Sequence, residues 1–127
     1  MEKQLFIVNE VRTNNFNDSQ VADKIGALWE EAKQYQQENQ AFYGIYMDYE
    51  SDFSGDYTVR VATDYQAFLG ADTIAIPQQQ YHVFPVENDV FATWQEIWKL
   101  PFDRSYVFDY EEYLPDGSIF IHIGLKA

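Results

Sequence analysis

The 127-residue chain contains no cysteine. Disulfides, thiolate metal sites and cysteine nucleophiles are therefore excluded. Histidine is nearly as scarce: His82 and His122 are too few for a zinc site unless carboxylates complete it, and neither a metal nor a cofactor is expected. Cations are few as well. Eight Lys and Arg stand against 21 Asp and Glu, a formal net charge of -13. Binding a nucleic-acid backbone needs clustered cations, so direct nucleic-acid binding is not expected. An anionic membrane surface is disfavoured for the same reason. The charge suits solubility, cationic partners or mimicry of a polyanion. No stretch approaches the roughly 18 apolar residues of a membrane span. The first residues, Met1 to Leu5, show no basic region leading into a long apolar run. A soluble cytoplasmic protein is the expectation. Gly-rich phosphate loops, serine-nucleophile motifs and His-Glu metal motifs are also missing.

What the chain does have is apolar and aromatic mass. It is 46% hydrophobic and 18% aromatic, enough to bury the core of one domain. Leu5 to Val11 reads as a strand. Asp18 or Ser19 can cap a helix whose apolar positions are Val21, Ile25, Leu28, Trp29 and Ala32. Ala41 to Tyr49 is an aromatic-rich strand, and Glu50 to Asp56 is a turn. Tyr57 to Thr63 alternates β-branched residues and is the clearest strand. Residues 65–78 form a linker containing the short apolar piece Thr73 to Ile76. Then Gln80 to Val86 reads as a strand. Asn88 or Asp89 caps a helix with Val90, Phe91, Trp94, Ile97 and Trp98 on its apolar side, and Pro101 ends it. Ser105 to Tyr113 and Ile119 to Leu125 are strands around the turn Pro115-Asp116-Gly117.

The order is β-α-β-β, linker, β-α-β-β. It predicts an α+β domain built from a duplicated unit with pseudo-twofold symmetry, with halves at about 1–64 and 79–127. Antiparallel sheets would leave a central groove between the halves, with the helices on one face. Trp29 and Trp98 are expected to be largely buried against those sheets.

The stretch Tyr106 to Tyr113 carries the most chemical information. With a period of two, Val107, Asp109, Glu111 and Tyr113 share one face, and Tyr106, Phe108 and Tyr110 the other. The second face is apolar enough to pack on helices, which turns the first toward the groove. A four-residue turn pairing Tyr113 with Ser118 would set Glu111 opposite Phe120 and Asp109 opposite His122. Glu111, Tyr113, Phe120 and His122 would then form one patch. A carboxylate among aromatic rings can pair with a ligand cation whose flat body stacks on them. Desolvation can instead raise its pKa for general acid or base work, making Glu111 the catalytic group if the protein is an enzyme. An exposed carboxylate on an open sheet face is the plainer alternative. Tyr tolerates a wet groove better than Phe, which favours Tyr46 and Tyr113. The acidic run Asp48, Glu50, Asp52, Asp56 lacks calcium-loop spacing and reads as solvated, and His82 as a packed or surface residue.

Several segments resemble the GyrI-like effector-binding domain family. They are Gly44-Ile45-Tyr46-Met47-Asp48-Tyr49 with Gly55 to Val59, then Tyr81-His82-Val83-Phe84, the Trp94 to Trp98 stretch, and Glu111-Glu112-Tyr113. The chain departs from the family pattern at Gln78 to Gln80 and at Pro85 to Asn88, where glycines are usual. The resemblance implies a small-molecule-binding domain in which Glu111, from the Glu-x-Tyr pattern, lies in the central pocket. It implies multidrug sensing linked to transcription regulation, with no helix-turn-helix segment in this chain. Glu111 would neutralise an amphipathic or cationic aromatic ligand, walled by Tyr46, Phe91, Trp94, Tyr113 and Phe120, with His122 beside them. Two alternatives come with the family. One is hydrolysis of strained cyclopropane-containing compounds by Glu111. The other is a protein partner such as gyrase, met by the acidic surface.

Overall fold

The computed structural model describes residues 3–52 and 54–126. Seven strands pair into one antiparallel sheet in the order β4-β1-β3-β2-β6-β7-β5. The strands are β1 Gln4–Thr13, β2 Phe42–Met47, β3 Tyr57–Thr63, β4 Thr73–Ala75, β5 Tyr81–Pro85, β6 Arg104–Tyr113 and β7 Ile119–Leu125. Helix α1 (Val21–Ala32) lies between β1 and β2, and α2 (Val90–Trp98) between β5 and β6. None of the described helices is long and apolar enough to cross a membrane.

Both helices pack on the same sheet face. On α1, Leu28 and Ala32 cover Tyr57, Val59 and Val61 of β3. On α2, Trp94 and Ile97 cover Ile121 and Ile123 of β7. The N-cap of α1 is Gln20, without a side-chain cap bond, and not the expected Asp18 or Ser19. Asp18 lies just before it, and its carboxylate accepts from the Gln20 N–H, the Thr13 hydroxyl and the Lys24 ammonium. Those bonds, led by the one from Lys24, hold its pKa down at about 2. For α2 the cap is Asp89, which accepts from the Phe91 N–H at 3.0 Å.

The helix-free face has its own apolar cluster: Leu5, Tyr43, Ile45, Ala62, Phe108 and Tyr110, closed by Ile76. The segment read as linker supplies this cover, because Thr73–Ala75 pairs with β1 as an edge strand. This corrects one expectation. Phe108 and Tyr110 pack away from the helices, and the face carrying Asp109 and Glu111 lies beneath them.

The β6–β7 register is the second correction. Leu114 N–H donates to Ser118 O (2.9 Å) and Gly117 N–H to Leu114 O (3.0 Å), with Gly117 at φ 93°. The loop therefore holds three residues and ends in a left-handed glycine, a geometry that fixes hairpin register. Tyr113 faces Ile119, Glu112 faces Phe120 and Glu111 faces Ile121, one residue from the expected pairing.

Candidate ligand groove

Two rungs of the sheet form the floor between the helices. One runs Val61, Gly44, Glu111, Ile121, and the next Val59, Tyr46, Asp109, Ile123. Directly opposite residues of neighbouring strands point to the same face, so every side chain on these rungs rises toward the helices. The walls come from α1 (Val21, Ile25, Trp29) and α2 (Phe91, Trp94, Trp98). The helices stand apart, and the sheet curls beneath them into a half-barrel groove of about 710 Å³.

Glu111 is at the centre of the floor and is only 1% exposed. Its Oε1 accepts from the Tyr113 hydroxyl at 2.8 Å. Its Oε2 accepts from the Trp94 indole N–H at 2.6 Å and the Tyr46 hydroxyl at 3.0 Å. Gly44 makes the room: a Cβ there would stand 2.6 Å from Glu111 Oε1 and 3.1 Å from Trp29 Cζ2. Burial pushes the Glu111 pKa up, and the bonds from Trp94, Tyr113 and Tyr46 pull it part of the way back. The same burial, with the Glu111 charge nearby, raises the Tyr46 and Tyr113 hydroxyls and keeps them protonated donors.

This has a consequence for stability. Folding raises the Glu111 pKa above its ordinary 4.5. The stability it contributes is therefore complete below that value and is lost as pH rises through the folded pKa. Glu111→Gln lacks this loss. Its melting temperature is expected to gain on the wild type as pH is raised from the acid range to neutrality. Parallel thermal melts across that range check this; a gap independent of pH contradicts it.

Next along the floor, Asp109 is fully buried and has three donors: Arg104 Nη2 at 2.9 Å, the Tyr49 hydroxyl at 2.5 Å and the Gly124 N–H at 2.8 Å. Arg104 and Tyr49 both line the groove.

Of the residues singled out from the sequence, Glu111, Tyr113, Tyr46, Trp94 and Phe91 are brought together here. Phe120 and His122 are not. The one-residue register difference sends them to the opposite face, where His122 stacks on Tyr110 (4.2 Å between centroids) and its Nε2 lies 3.2 Å from Glu112. Trp29 and Trp98, expected to be largely buried against the sheet, are partly buried and line the groove between the helices, while Trp94 is buried.

Sequence reasoning missed Gly44, Tyr49 and Arg104 as parts of the site. Gly44 has a signal in hindsight, being the one residue without a side chain in β2. Arg104 has none, because strict alternation puts it on the face opposite Asp109. An irregularity in β6 between residues 104 and 109, with Tyr106 at φ 54°, brings the two together.

Comparison with known proteins agrees with this geometry. The model of the GyrI-like small molecule binding domain matches residues 2–118. The Bacillus subtilis (strain 168) protein named "Putative transcriptional regulator protein YobU" is 28% identical over 127 residues, covering 85% of this chain and 79% of that protein. The crystal structure of integron cassette protein VCH_CASS2, from the mobile metagenome of Vibrio cholerae, superposes with a TM-score of 0.84 at 24% identity. That match covers 98% of this chain and 91% of the other, and it shows a common fold.

Proposed function

Because the chain belongs to the GyrI-like small-molecule-binding domain family, we propose that its groove binds an amphipathic, cationic aromatic molecule through Glu111. One observation carries this reading: a carboxylate 1% exposed, held by three donors, at the bottom of an aromatic-walled groove. Such a group is costly to bury and is sustained here by Tyr46, Trp94 and Tyr113. A ligand cation gives the carboxylate a counter-charge at the place where it lacks one. A flat apolar body would lie along Trp29, Trp98 and Phe91, whose rings offer stacking and cation–π faces. The volume of about 710 Å³ suits a molecule of drug-like size. The net charge of -13 draws cations toward the protein from a distance, an effect that salt weakens.

The sheet order reads β1-β3-β2 from one side and β5-β7-β6 from the other, which supports a duplicated unit with the groove near its axis. The regulator name of the Bacillus relative supports a sensing role for ligand occupancy.

Calorimetry with N-methylquinolinium and the neutral isostere methylnaphthalene tests the reading. The two share shape and stacking area and differ in charge. The cation is expected to bind at least about tenfold more tightly, through its charge attraction to the carboxylate. The preference should widen as pH rises and Glu111 ionises. Equal affinities, or no binding of either probe, overturn the cationic reading.

A further inference from the structure

Beside Glu111 the groove holds a second charged group that the cationic reading leaves without a task. Arg104 is 5% exposed, and its side chain forms part of the groove wall. Its Nη2 donates to Asp109, but its Nε and Nη1 are buried with no hydrogen-bond partner among the described residues. Its Cζ lies 4.4 Å from the Tyr106 ring centroid and 6.0 Å from that of Trp94. Asp109, by contrast, is fully engaged by Arg104, Tyr49 and Gly124. The pair therefore balances in charge and not in hydrogen bonds: both carboxylate oxygens are engaged, and two of the three guanidinium nitrogens are not.

The backbone that delivers this arginine is strained. Tyr106 adopts φ 54°, a left-handed conformation that bulky aromatic residues rarely take, inside the irregular stretch of β6. Bulges of this kind re-aim side chains next to binding sites, and strain persists where the surrounding structure enforces it. Here Tyr106 is held edge-on by Tyr49 at 5.7 Å, and the conformation sets Arg104 and Asp109 on one face. Glu111 and Arg104 both meet the same indole: Glu111 takes the Trp94 N–H, and the guanidinium lies over the Trp94 ring.

We propose that Arg104 is a second anchor, and that the molecule bound in the groove carries an acceptor oxygen, in a carbonyl or carboxylate, in addition to its cationic aromatic body. The inference rests on the groove being the ligand site and names the class of ligand more closely. A buried guanidinium with unused N–H groups favours any ligand oxygen that reaches it, and a ligand lacking the oxygen leaves those donors unpaired. Discrimination of that origin exceeds what apolar contacts alone give.

The test uses N-methylquinolinium, its ring-substituted carboxamides and its ring-substituted carboxylates, titrated by calorimetry. Against the wild type, at least one carboxamide or carboxylate isomer is expected to bind about tenfold or more tighter than the parent cation. Gain from both substituents points to a shared need for an acceptor oxygen, and gain from the carboxylates alone to a ligand anion. In Arg104→Met/Asp109→Asn, which removes both charges and keeps the volume, the gain over the parent cation should vanish. Glu111→Gln should weaken every cation and leave the gain intact. If the parent cation binds through Glu111 and no substituent adds affinity, the Arg104 proposal fails alone. The same holds if the gain survives in the double variant. If no probe binds the wild type, the groove reading fails and this proposal with it.

Discussion

Asp109→Asn is expected to lower the unfolding free energy by about 3–5 kcal/mol, as removing one partner of a buried ion pair does. Asp109 is fully buried and Arg104 is 5% exposed, so neither charge can turn to water once the other is gone. The loss extends beyond the guanidinium. The Tyr49 hydroxyl and the Gly124 N–H also donate to this carboxylate, and an amide oxygen accepts more weakly. Domains of this size are stable by about 5–15 kcal/mol, so the variant should be marginal at 25 °C. Urea melts of Asp109→Asn, Arg104→Met and the double variant give the coupling directly. The double variant should recover much of what each single variant loses, because paired neutral groups bear burial better than one orphaned charge. Losses that simply add would mean the ion pair is not a unit.

Gly44→Ala should have the second-largest effect, and it acts on the site itself. The added Cβ would lie 2.6 Å from Glu111 Oε1, closer than real Cβ contacts allow, and 3.1 Å from Trp29. Glu111 cannot swing aside freely, because Tyr113, Trp94 and Tyr46 hold both of its oxygens. Overpacking of this kind costs about 1–3 kcal/mol. The displaced carboxylate should also bind N-methylquinolinium at least about tenfold more weakly, because the two charges no longer meet at their best separation. The second site variant Gly44→Ala/Glu111→Ala separates the two effects. With the carboxylate gone the new methyl has room, so stability should return while cation binding does not. Stability that stays low would place the strain elsewhere than at Glu111.

Alternation made it legible in the sequence that Asp109, Glu111 and Tyr113 share one face of β6, and it did not show which face the helices cover. Glu111 and Tyr113 lie two apart on a strand, which is why the sequence alone puts them side by side. Both helices were legible from apolar spacing, and Asp89 from its capping chemistry. The failures come from single-residue irregularities. A left-handed Gly117 makes the β6–β7 loop three residues long, and that one residue moved Phe120 and His122 to the far face. The irregular stretch at Tyr106 carries Arg104 to the groove against the alternation rule. The edge strand Thr73–Ala75 is too short to announce itself, and only its pairing with β1 reveals it. Trp29 and Trp98 share the periodicity of core residues; that they line a groove depends on the distance between two helices, which no local pattern encodes.

Glu111 and Glu112 are neighbours with the same chemistry on opposite faces. Glu111 lies under the helices with Trp94, and Glu112 on the far side with Tyr43 and His122. Titrating N-methylquinolinium into the wild type, Glu111→Gln and Glu112→Gln therefore isolates the groove carboxylate from carboxylate charge in general. The expected result is a loss of about ten- to a hundredfold in affinity for Glu111→Gln, and no change for Glu112→Gln. Equal losses in both, or a loss confined to Glu112→Gln, would contradict the assignment of Glu111 as the group that receives the cation.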